Sequence, residues 1–159
     1  MRKLIVLLTL VASGIVAVPA AQADSPHFLK ASATINSQTG ALTCSFKEAG
    51  LGNVPTADVT CSASTTVVYQ CFNNGGNHPK AGNKETINTD LSNTGTFPVR
   101  NGQTTGSIEL GPAGPGDFTC PNGQTLYLQS VSYSNITISG QGATASVGSV
   151  GPVTLHIPA

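Results

Sequence analysis

Fifteen consecutive residues alternate without a break. Ala57, Val59, Cys61, Ala63, Thr65, Val67, Tyr69 and Cys71 share one parity, and Asp58, Thr60, Ser62, Ser64, Thr66 and Gln70 share the other, with Val68 the one apolar residue among them. A period of two is the signature of a strand with one buried face, and a helix cannot satisfy it. No Gly, Pro, Asn or Asp interrupts Cys61 to Cys71. The segment therefore reads as one long strand, or two joined by a bend.

The same period recurs elsewhere. Leu29, Ala31, Ala33 and Ile35 alternate with Lys30, Ser32, Thr34 and Asn36, and a turn follows near Gln38-Thr39-Gly40. Leu42, Cys44 and Phe46 form the next inward set, and Lys47 to Thr56 reads as a loop. Short strands are expected at Glu85–Asn88, Thr96–Val99 and Thr104–Leu110, the last two flanking Asn101-Gly102, a strong hairpin dipeptide. Gly111 to Gly116 reads as a rigid loop, and Val153, Leu155 and Ile157 as a final strand. Between Thr125 and Ser139 the phase slips twice, which predicts bulges or bends near Gln129–Ser130 and Ser134–Asn135, because a one-residue slip turns every side chain over. No amphipathic helix is legible. About eight to ten short strands imply an all-β chain, an antiparallel immunoglobulin-like β-sandwich, with a closed barrel as the alternative.

Four cysteines allow three pairings. On one strand Cys61 and Cys71 would lie about 33 Å apart, far beyond the roughly 7 Å that a disulfide tolerates. Cys44–Cys61 would join neighbouring strands of a hairpin centred on Gly52-Asn53, leaving Cys71–Cys120 to close a long loop. No C-x-x-C occurs, and His27, His78 and His156 lack ligand spacing, so neither metal nor cofactor is expected.

Residues 1–23 have the layout of an export signal. Arg2 and Lys3 precede an apolar run from Leu4 to Val18, and Ala21-Gln22-Ala23 forms an A-x-A cleavage site. The run is shorter than the ~20 residues a spanning helix needs. The expectation is one secreted domain, residues 24–159, without a membrane span. That segment carries five Lys/Arg against seven Asp/Glu, a balance of −2, and offers no basic surface for nucleic acid. Ser and Thr number 32 in it and Asn 11, so hydroxyls and amides rather than charges solvate the chain.

Catalytic signatures are sparse. No G-x-S-x-G is present, and Glu48, Asp58, Glu85, Asp90, Glu109 and Asp117 sit in no recognisable acid–base motif; turn capping and solvation explain them. His156 alternates with Leu155 and Ile157 and should point outward. The loop after Cys71 is richest in binding chemistry: Asn73, Asn74, Asn77, His78, Lys80, Asn83 and Glu85 could hydrogen-bond a ligand, or the amides could simply hold their own turns.

Three stretches carry a resemblance. They are Ser45-Phe46-Lys47-Glu48-Ala49-Gly50-Leu51-Gly52, the run from Tyr69-Gln70-Cys71-Phe72 through Asn77-His78-Pro79-Lys80 to Glu85, and Gly114-Pro115-Gly116-Asp117-Phe118-Thr119-Cys120-Pro121-Asn122-Gly123-Gln124. Together they resemble small secreted, disulfide-containing proteins of Streptomyces and related actinobacteria, a group with no assigned activity. The resemblance implies export, places Cys71 and Cys120 in its motifs and assigns no catalytic residue. In size, export and two disulfides the chain is also similar to enediyne-binding apoproteins. Secreted subtilisin inhibitors share the two disulfides but not a reactive-site pattern. The reading is a secreted, non-catalytic structural or binding module of unknown partner. The alternatives are a small-molecule or glycan-binding protein using the 73–85 loop, and a secreted hydrolase or protease inhibitor.

Overall fold

The computed structural model describes residues 25–73 and 83–159. The expected signal segment, with its cleavage site, and Asn74, Asn77, His78 and Lys80 lie outside the described residues. The fold is all-β and antiparallel. In chain order the strands are β1 (His27–Ile35), β2 (Leu42–Ala49), β3 (Thr56–Asn73), β4 (Lys84–Pro98), β5 (Gln103–Leu110), β6 (Gln124–Gly140) and β7 (Ala143–Pro158). They form a three-stranded sheet, β1-β2-β5, and a four-stranded sheet, β4-β3-β6-β7.

Among the described residues the strands number seven and are longer than expected. The alternation from Ala57 to Cys71 is one strand, with every odd position buried. Thr89 to Gly95, which carries no apolar signal beyond Leu91, continues Glu85–Asn88 into Thr96 as β4, because backbone pairing to β3 needs no side-chain pattern. The final strand begins at Ala143 rather than Val153. β2 likewise extends through Lys47, Glu48 and Ala49, which the sequence placed in a loop.

Both phase slips in β6 are real. Its pairing with β3 shifts between Val68 and Tyr69, opposite Gln129, and between Ser62 and Ser64, opposite Asn135–Ile136. Asn135 takes a left-handed φ of 51° there. The shifts return Leu128, Val131, Tyr133, Ile136 and Ile138 all to the interior. In β1 an unforeseen shift between Phe28 and Lys30 overturns one assignment: Leu29 is 53% exposed, and Phe28 packs on the core in its place.

The core lies between the sheets. Leu42, Cys44, Phe46, Ile108 and Leu110 of the smaller sheet face Val59, Cys61, Val67, Val131, Tyr133, Ile136 and Ile138 of the larger. Both disulfides pair as expected, Cys44–Cys61 and Cys71–Cys120. The first does not join strands of one hairpin, however. β2 and β3 belong to different sheets, so it bolts the layers together through the core. Asn101-Gly102 does turn the chain, with φ of 52° and 68° and paired Arg100–Gln103 backbone bonds of 2.8 and 3.0 Å. Beyond that bridge the hairpin opens, and β4 and β5 enter separate sheets.

The two layers differ in length. Strands of 8 or 9 residues face strands of 15 to 18. At about 3.3 Å per residue the larger sheet overhangs the smaller by roughly 20–30 Å. Gly40, at the β1–β2 turn, marks the limit. It sits on Leu128, Val131 and Leu155 with a φ of 76°, and an added Cβ would come within 3.0 Å of Leu155. Its carbonyl accepts the buried Tyr133 hydroxyl at 2.9 Å.

Candidate functional site at the overhang

Beyond Gly40 the inner face of the larger sheet still presents Tyr69, Leu128, Leu155 and, half-buried, Ile87 and Leu126. The segment between β5 and β6, residues 111–123, covers part of it. Two bonds hold that segment down. The Tyr69 hydroxyl donates to the Ala113 carbonyl at 2.7 Å, and Cys71 is bonded to Cys120. Burial pushes the Tyr69 phenol above its ordinary pKa. Phe118 is drawn in against the core while its amide closes a turn onto the Pro115 carbonyl at 3.2 Å.

Cover and sheet do not meet completely along β4. Glu85 and Ile87 on one side, and Gly114, Pro115, Gly116, Asp117 and Phe118 on the other, line an open groove of about 440 Å³. Its walls are mainly apolar. Two carboxylates, Glu85 and Asp117, stand exposed at its margin, and no salt bridge reaches either among the described residues.

The residues expected to bind divide sharply. Glu85 lines the groove. Asn73 and Asn83 do not: the Asn83 amide donates to Gln124 at 2.8 Å, and the Gln124 amide donates to Asn73 at 2.8 Å. With the Cys71 amide on the Asn83 carbonyl at 3.0 Å, these contacts clamp the roots of the 73–85 segment. Gln124 was not singled out by sequence. Its position after Cys120 could not show that it would pair with Asn73 on the neighbouring strand.

The opposite face of the same sheet end carries a ring cluster. Tyr127 stacks on His156 at 4.1 Å and 13°, and Phe72 meets both edge-on at 5.4 and 4.9 Å. His156 points outward, as its parity predicts, and its Nδ1 is 3.0 Å from the Gln129 amide nitrogen. The rings satisfy one another and tie β3, β6 and β7 together. Tyr133 is core, and burial pushes its pKa up to about 12.

Glu48 is the residue the sequence reading misplaced most. Read as a solvated carboxylate, it is fully buried, and among the described residues neither carboxylate oxygen has a hydrogen-bond partner. It shares parity with Leu42, Cys44 and Phe46, which was the available signal. It lies between Phe28 and Thr104 on the neighbouring strands and faces Gly140, where an added Cβ would stand 2.7 Å from its Oε2. Desolvation raises its pKa above the usual carboxylate value, favouring the neutral acid.

No model of a protein family, no curated protein and no solved structure gives a significant match to this chain. Among the described residues no helix is long and apolar enough to cross a membrane. The two disulfides suit an oxidising, extracellular environment.

Proposed function

We propose that this chain is a secreted, non-catalytic binding module that takes a small ligand in the groove at the overhang. The observation that carries it is an apolar floor, Ile87, Pro115 and Phe118, with the exposed carboxylates Glu85 and Asp117 at its rim, which no salt bridge reaches among the described residues. Such a lining suits an organic cation with an apolar body: a ring or chain against Phe118 and Ile87, and an ammonium or guanidinium against the carboxylates. The resemblance to small exported actinobacterial proteins and the signal-like residues 1–23 support secretion. The strand order supports an immunoglobulin-like ancestry. It equals the constant-type arrangement, 1-2-5-4 over 3-6-7, with the fourth strand moved across to pair with the third.

Backbone NMR titration with a panel of hydrophobic amines, neutral glycans and anionic aromatics tests the reading. Amines are expected to shift Ile87 and Phe118 signals, and the Glu85→Gln/Asp117→Asn pair to abolish the shift. A panel in which only glycans perturb the protein, or in which nothing does, would refute it.

A further inference from the structure

A sheet edge presents unpaired backbone N–H and C=O groups, and folded proteins blunt such edges with prolines, bulges or covering segments. β7 shows these devices. Its pairing with β6 shifts register at four places, Gly148 and Gly151 take left-handed φ values of 94° and 91°, and Pro152 lies mid-strand. β1 is short and broken by its shift at Phe28–Lys30. At β5 the Asn93 amide caps the Glu109 carbonyl at 3.0 Å. β4 is different. It pairs with β3 over fifteen consecutive residues without one shift, and its first proline is Pro98, the last residue. From Asn93 onward its flank lies beside β5, as the Asn93–Glu109 and Thr104–Pro98 bonds show. From Lys84 to Leu91 the smaller sheet has ended, and among the described residues no strand pairs with the outer edge.

We propose that this stretch of β4 pairs with the same stretch of a second copy, antiparallel, about a two-fold axis through Ile87. The sequence fits that register. Lys84 then stands opposite Asp90 of the other copy, twice by symmetry, and Glu85 meets Thr89, Thr86 meets Asn88 and Ile87 meets Ile87. No like charges oppose. Lys84 and Asp90 share the outer face with Thr86 and Asn88, whereas Ile87 is on the inner face, where it is half-buried. Pairing closes the two Ile87 side chains over each other and makes one continuous eight-stranded sheet. The expected net charge of −2 per copy gives little repulsion to overcome. Seven residues of edge per copy make a weak, concentration-dependent dimer.

Charge exchange tests this without touching the groove. Analytical ultracentrifugation of the purified protein is expected to show monomer–dimer exchange. Lys84→Glu or Asp90→Lys alone should weaken it about tenfold, since each places like charges opposite twice, and the double exchange should restore it. Both positions are exposed, so far-UV circular dichroism should be unchanged. Independently, Ile87→Cys should form an intermolecular disulfide on mild oxidation, because the axis places the two thiols face to face, whereas Thr89→Cys should not. A monomer at every concentration up to about 1 mM would overturn the proposal. So would a dimer indifferent to both single exchanges, or preferential cross-linking at position 89. Failure of amine titration leaves these readouts untouched.

Discussion

The larger sheet has two halves, and they are buttressed in opposite ways. Around Cys61 its inner face meets another sheet, and Val59, Cys61, Ile136 and Ile138 are wholly buried against Leu42, Cys44 and Phe46. Around Cys71 its inner face meets a segment of Gly, Pro and Asp without regular structure, pinned by one disulfide and one phenol hydroxyl. Stability in the first half comes from close packing, which is felt at every methylene. In the second, Ala113 and Phe118 pack on the core, tethers hold the rest of the cover, and a groove remains along β4. The groove and the β4 edge that no described strand pairs both lie where packing gives way to tethering.

The largest effect should come from cutting the tether. Replacing Cys71 and Cys120 by Ala opens a loop of 49 residues, and loop entropy puts the loss at about 4 kcal/mol. Chemical denaturation gives the total. Limited proteolysis should show new cleavage within residues 111–123 before global unfolding, and cleavage appearing only with global unfolding would mean that the cover packs as firmly as the core. Next, Ile138→Ala, in the packed half, is expected to cost about 2–5 kcal/mol, with no change in protease sensitivity of that segment. Ile87→Ala, in the overhang and only half-buried, should cost well under half as much by the same melts.

Glu48 tests the packed half in the other direction. Its folded pKa lies above its unfolded one. The folded state therefore binds the extra proton between the two, and stability falls as pH rises from about 4.3 through the folded value, then levels off. Glu48→Met removes that pH dependence and should stabilise the protein at neutral pH by about 1–3 kcal/mol, measured as denaturation midpoints from pH 4 to 8. A destabilised Met variant would show that the carboxyl group is held by more than its surroundings suggest. The smallest effect is Tyr69→Phe. Losing the bond to Ala113 should cost about 1 kcal/mol and speed amide exchange in residues 111–118, leaving β2 unaffected.

Residues whose role depends on local pattern were legible in the sequence. Alternation gave β3 its full inward row, the phase slips gave the bulges at Gln129 and Asn135, and parity gave the outward His156. Glu85 was named as a binding residue, yet its partners in the groove, Pro115, Asp117 and Phe118, are thirty residues away and joined to it by no motif. Asn73 and Asn83 are read as candidate ligand contacts, and the fold bonds each of them to Gln124. An amide's chemistry is written in the residue, but its partner is chosen by the fold.

A period of two fixes which face of a strand is apolar, so the chain alone determined an all-β core and the cysteines that fall inside it. It did not determine which sheet each strand joins. Backbone hydrogen bonds are the same in either sheet, so Cys44 and Cys61 could be expected to bond but not to bridge two layers, and Asn101-Gly102 could turn the chain without holding β4 and β5 together. Only the tertiary arrangement decided that four long strands overhang three short ones. Packing three strands of 8 or 9 residues against four of 15 to 18 leaves apolar surface that no strand covers among the described residues. That mismatch in length leaves the groove, and the β4 edge that no described strand pairs.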